Sequence, residues 1–129
     1  MYSHKLKYQY WYYREIENYI SNNKEKNVND IILDLQGKMC DEDICLDRES
    51  LFRELYEMGM PLAETLMIVK RVRRGKKISV KLRDKLKEKG CTEEFLCKMD
   101  NIRYIRSRRQ TILKILFVTK LIEKENYYD

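Results

Sequence analysis

The residues of this chain best suited to a chemical task are its cations, which fall in two runs. The first is KRVRRGKK at Lys70–Lys77, carried on by Lys81, Arg83, Lys85, Lys87 and Lys89. The second is Arg103, Arg106, Arg108 and Arg109, followed by Lys114. Clustered Lys and Arg neutralise phosphates and release their counterions, which gives a strong, salt-dependent affinity indifferent to sequence. Arginine adds a planar fork that engages a phosphate through two hydrogen bonds. The candidate contacts are therefore Lys70, Arg71, Arg73, Arg74, Lys76, Lys77, Arg103, Arg106, Arg108 and Arg109, with Tyr104 placed among them to stack on a base.

The charge is divided along the chain. Residues 1–69 carry 8 Lys+Arg against 13 Asp+Glu, a formal −5, and residues 70–129 carry 19 against 8, a formal +11. An acidic and aromatic half thus precedes a basic half, and the acidic charge is too small to cancel the basic charge. A field of that sign favours a polyanionic partner, a nucleic acid or a ribonucleoprotein. The opposing reading is an ordinary solvated helix face, neutralised where the first half folds against it.

Other chemistries find less support. Cys40-x4-Cys45 and Cys91-x5-Cys97 depart from the two to four intervening residues of structural zinc sites, so free thiols and no metal are expected. A calcium loop begun at Asp41 would put Leu46 where glycine is required and Phe52 where a bidentate glutamate is required. The sole histidine is His4, which leaves nucleophile activation little to build on. With 4 glycines in all there is no phosphate-cradling or dinucleotide-binding loop. The expectation is a non-enzymatic binding protein without a cofactor.

The first helix offers a second functional reading. YQYWYYREIENY places six aromatics from Tyr8 to Tyr19, more than one buried stripe needs. Tyr10, Trp11 and Tyr13 are the candidates for an exposed patch that meets a protein partner, as in an adaptor or an inhibitor of a larger assembly. Core packing competes for the same rings, because tyrosine covers core edges with its hydroxyl in water.

These residues need elements to hold them, and the composition specifies which kind. Only 4 Gly and 1 Pro occur in 129 residues, so long helices with short connections are expected rather than a turn-rich sheet fold. Apolar residues recur at helical spacing. They do so at Tyr8, Tyr12, Ile16, Tyr19 and Ile20, and again at Val28, Ile31, Ile32, Leu35 and Met39, with Gly37 as a nearby stop. The acidic stretch Cys40–Asp47 reads as a solvated connection, with Asp47 capping a helix over Arg48–Met58 whose inward face is Leu51, Phe52, Leu55 and Tyr56. Gly59 ends it and Pro61 opens a helix to Arg74 that buries Leu62, Leu66, Val69 and Val72. Gly75 is the next stop, Ser79 caps a helix to Lys89 with Leu82 and Leu86 inward, and Thr92 caps the last apolar series, Phe95 to Leu121. The polar stretch Arg106–Gln110 interrupts that series, so one long helix and two helices with a bend are both open.

The fold class expected is all-α, a compact bundle of about five to seven helices in a single domain, 1–129, with a long or kinked C-terminal helix. The connection Met58–Leu62 has helix-turn-helix length. The helix after it begins Pro61, Leu62, Ala63, Glu64 and carries its charge at the wrong end for reading bases. No apolar run exceeds four residues, against about 20 for a membrane span. Without an apolar leader the chain is expected to be intracellular, cytoplasmic or nuclear, with its thiols reduced.

Overall fold

A computed structural model describes residues 2–128, with the side chains of residues 11, 12, 14–122 and 124. Among the described residues seven helices follow one another: α1 (Tyr2–Asn22), α2 (Val28–Asp41), α3 (Arg48–Glu57), α4 (Leu62–Arg73), α5 (Val80–Glu88), α6 (Glu93–Ser107) and α7 (Arg109–Tyr128). No strand occurs among the described residues. No helix there is long and apolar enough to cross a membrane.

Short polar side chains start the helices as the sequence suggests. Asn27, Asp47, Ser79 and Thr92 each accept a hydrogen bond from the backbone N–H three residues on, pairing a donor that the first turn leaves open. Pro61 stands just outside α4 in extended conformation rather than in its first turn. Gly37 is not a stop, because α2 runs through it to Asp41.

The bundle is organised around α6, which packs against α1, α2, α4 and α7. Burial on several sides explains its mixed pattern: Phe95, Leu96, Met99, Ile102 and Ile105 are all buried, as is Asn101. Asn101 Nδ2 donates to the Ile44 carbonyl at 3.0 Å, pairing a polar group that burial would otherwise strand. Ile44 and Cys45 are themselves buried, so the acidic connection is docked on the core through its apolar members rather than being a solvated turn.

Several faces are rotated from the expected ones. In α4 the buried side chains are Thr65, Ile68, Val69 and Val72, while Leu62 and Leu66 point to solvent. Both α3 and α6 pack against α4 from a direction that selects Ile68 instead. Tyr56 of α3 is exposed and stacks in parallel on the half-buried Phe52, ring centroids 6.0 Å apart. In α7 the core takes Ile112 and Leu116, whereas Phe117 and Leu121 are exposed. Trp11 is 2% exposed and belongs to the core with Ile16 and Ile20. Its indole therefore fills the bundle and is not offered to a partner, a correction to its candidacy as a protein contact. The side chains of Tyr8, Tyr10 and Tyr13 lie outside the described residues.

Candidate nucleic-acid interface

The two basic runs meet where α4 packs on α6, and the closest approach is a backbone contact at Gly75. Helix α4 ends in a left-handed turn at Gly75 (φ 74°), where Gly75 N–H bonds the Val72 carbonyl and Lys76 N–H bonds the Arg71 carbonyl. The turn lies flat on the break between α6 and α7. A Cβ at Gly75 would stand 2.7 Å from Ser107 N and 2.8 Å from Ser107 Cα, which real side chains do not tolerate. Only glycine supplies both the positive φ and the missing atom.

The break itself is local chemistry. Ser107 Oγ donates to the Tyr104 carbonyl at 2.6 Å, and Arg108 N–H reaches the Ile105 carbonyl rather than that of Tyr104. The ladder closes by one residue there and restarts when Ile112 N–H bonds the Arg108 carbonyl. The C-terminal apolar series is therefore two helices bent at Arg108.

Around this junction the cations converge on two adjoining grooves. One, of about 230 Å³, is lined by Asn29, Ile32 and Leu33 of α2 with Arg73, Arg74, Arg106 and Arg109. The other, of about 480 Å³, is lined by Arg48, Leu66, Val69, Lys70, Arg73 and Arg74. Arg73 and Arg74 belong to both, so α3, α4, α6 and α7 contribute to one continuous basic ridge. Among the described residues no carboxylate lines either groove. Lys70, Arg74 and Arg109 are exposed, while Arg73 and Arg106 are half-buried.

The carboxylates of the fold are used elsewhere. Arg83 holds Asp100 through two bonds of 3.0 and 2.8 Å, Lys85 pairs with Glu64 at 2.9 Å, and Lys98 pairs with Asp43 and Glu94. The acidic half thus neutralises Lys85 and Lys98, as the solvated-face reading requires. Among the described residues it does not reach Lys70, Arg73, Arg74, Arg106 or Arg109. Arg106 Nε donates instead to the neutral Gln36 Oε1 at 2.8 Å. Burial and the Arg73 charge beside it hold the Arg106 guanidinium below its ordinary pKa.

Not every candidate cation joins the ridge. Arg71 Nε donates to the Lys77 carbonyl at 2.9 Å and so braces the turn that Lys76 continues. Lys77 and Arg103 line a third cavity, between the α4–α5 turn and α6. The Arg108 guanidinium lies 4.0 Å over the centre of the Tyr104 ring, which also meets Tyr12 edge to face at 6.5 Å. That face of Tyr104 is therefore occupied by a cation instead of being offered to a base.

Arg48 is the ridge residue that the sequence pattern does not reveal. It is isolated in the acidic half, at the first position of α3, where its charge opposes the helix dipole. Only the packing of α3 on α4 brings it beside Lys70. The cysteines form no cluster with other ligating groups among the described residues. Desolvation raises the thiol pKa of Cys45 and carries that of Cys91 to about 11. No known family model matches the chain, and comparisons with curated proteins and with solved structures found no match.

Proposed function

We propose that the ridge formed by Arg48, Lys70, Arg73, Arg74, Arg106 and Arg109 binds the phosphate backbone of a nucleic acid, alone or within a ribonucleoprotein, with no catalytic step. The observation that carries this reading is the convergence of six cations from four helices on two grooves that, among the described residues, no carboxylate lines. Like charges brought that close repel, and a polyanion relieves the repulsion. Arginine forks can also hold phosphate oxygens in pairs. Nothing on the ridge is built to read base edges, so the binding is backbone-directed.

Fluorescence anisotropy with a labelled oligonucleotide, at salt concentrations from about 50 to 200 mM, tests the reading. Engagement of all six cations lowers affinity by about 10³-fold over that range. Reversing three exposed members, Lys70→Glu, Arg74→Glu and Arg109→Glu, should flatten the log–log slope by about 2 to 3. Absent binding, or a slope that the triple variant leaves unchanged, refutes the proposal.

A protein-interaction reading draws on α7 rather than on α1. Phe117, Val118, Leu121 and Ile122 are all exposed and adjoin on one side of that helix, a patch of the kind that marks contact surfaces. Phe117→Ser with Leu121→Ser would then abolish capture of a partner at an unchanged melting temperature. Capture that survives both changes excludes that face.

A further inference from the structure

The third cavity adjoins the ridge but differs from it in character. It encloses about 360 Å³ between Val72, Lys77, Ile78 and Val80 on one side and Met99, Asn101, Arg103 and Tyr104 of α6 on the other. Its walls are mainly apolar. The carboxylate in its wall is already balanced, since both Asp100 oxygens are taken by Arg83. The cations that line it without an acidic partner among the described residues are Lys77 and Arg103. A cavity of this volume, apolar with a few convergent polar groups, suits a small planar organic group better than a phosphate.

We propose that this cavity receives one unpaired base of a single-stranded nucleic acid, whose flanking phosphates lie on Lys77 and Arg103. This deepens the phosphate-surface reading and rests on it. Position is the first support. Val72 lines the cavity while the next two residues, Arg73 and Arg74, line the grooves. On α6, Arg103 at the cavity stands one turn before Arg106 on the ridge, so a strand following the ridge passes the cavity mouth. Rigidity is the second support. The Tyr104 ring is pinned by Arg108 above it and Tyr12 at its edge, and Arg83 is clamped to Asp100, so the walls are preformed. The third is selectivity: a duplex must extrude a base to fill the cavity, whereas a single strand presents one without unpairing.

The experiment compares three labelled probes on the wild-type protein at one salt concentration: an oligothymidylate, an abasic oligomer of equal length, and a duplex of equal length. The expected result is that the oligothymidylate binds about tenfold more tightly than the abasic oligomer, with similar salt slopes. Val80 is 75% exposed at the start of α5, so Val80→Trp narrows the mouth without disturbing the core. It should shrink the difference between the base-bearing and abasic strands while sparing abasic binding. The Lys70, Arg74 and Arg109 triple reversal should weaken both strands alike. Equal affinity of the wild type for the two strands, or tighter binding of the duplex, overturns the base site and leaves the phosphate surface standing. Failure of all three probes to bind overturns both.

Discussion

Replacing Gly75 by alanine tests the close backbone contact that sets the two basic runs against each other. The substitution carries two costs that the structure separates. An alanine held at a φ of 74° loses about 1 kcal/mol relative to glycine. The new Cβ also meets three backbone atoms, Ser107 N at 2.7 Å, Ser107 Cα at 2.8 Å and Arg106 C at 2.9 Å. Backbone cannot rotate away as a side chain can, so the turn and the α6–α7 break must separate, at about 1–3 kcal/mol. The total is about 2–4 kcal/mol, a fall in melting temperature of roughly 6–16 °C for a chain of this size. Gly90 supplies the control, with a φ of 90° and no atom within 4 Å of its missing Cβ. Gly90→Ala should lose only the conformational part, about 1 kcal/mol. Urea denaturation of both variants measures the difference, and the salt slope of oligonucleotide binding should flatten in Gly75→Ala alone. Equal destabilisation by the two changes would show that the turn does not press on the break, and the joining of the two basic runs would lose its physical basis.

Three further outcomes follow from the packing and the titrations. Gly37→Ala, in the exposed middle of α2 with open space around it, should stabilise the fold by about 0.5–1 kcal/mol in denaturant melts; a loss instead would mean that α2 does not run through this position. Trp11→Ala should cost about 3–5 kcal/mol through the cavity left in the core, and an unchanged melting temperature would place that ring on the surface after all. Alkylation of Cys91, followed by mass spectrometry, should be slow at neutral pH and accelerate until about pH 11, because burial disfavours its thiolate. Full labelling of Cys91 in the folded protein at pH 8 would contradict its half-buried setting.

Much of the fold was legible because its signals are local. Asp47, Ser79 and Thr92 cap the helices that the sequence assigns to them, since a cap needs only the N–H three residues away. The stripe Val28, Ile31, Ile32, Leu35 and Met39 is buried throughout for the same reason. Legibility ends where the direction of packing decides. In α4 the pattern Leu62, Leu66, Val69 is a sound helical face, yet Thr65 and Ile68 are buried in place of the leucines. Thr65 joins the core because its hydroxyl finds the Met60 carbonyl at 3.3 Å, a partner set by the preceding turn. Trp11 was ambiguous for a related reason: periodicity cannot say which arc of an aromatic-rich helix meets the bundle. Of the candidate cations, five converge on the ridge. Neither the joining of the two runs, which needs Gly75 set against Ser107, nor the recruitment of Arg48, which needs α3 packed on α4, is visible in the sequence.

The features gathered at that contact share a sign. Burial and the Arg73 charge weaken the hold of Arg106 on its proton, and Arg73 Nε is shielded from water without a hydrogen-bond partner. Arg48 opposes the dipole of the helix it begins. Gly75 gives up the conformational restraint of a side chain to hold a left-handed turn. Each weakens the isolated fold, by about 1–3 kcal/mol for an unpaired buried donor alone. Elsewhere the helices are capped and buried amides find carbonyls, although Glu64 Oε2 and Arg108 Nε are also shielded without a hydrogen-bond partner. Local violations that stability does not explain concentrate where a protein meets something else. An anion at the ridge would reverse the electrostatic penalties together: it would screen Arg73 from Arg106, give their guanidinium groups acceptors, and offset the charge at the start of α3. Phosphate binding should therefore raise the melting temperature of this chain, and the double reversal Arg48→Glu with Arg109→Glu, at the starts of α3 and α7, should raise it in the absence of any ligand. A double variant that is less stable than the unliganded wild type would mean that those cations hold the fold together, and the concentration of unfavourable features would have no functional meaning.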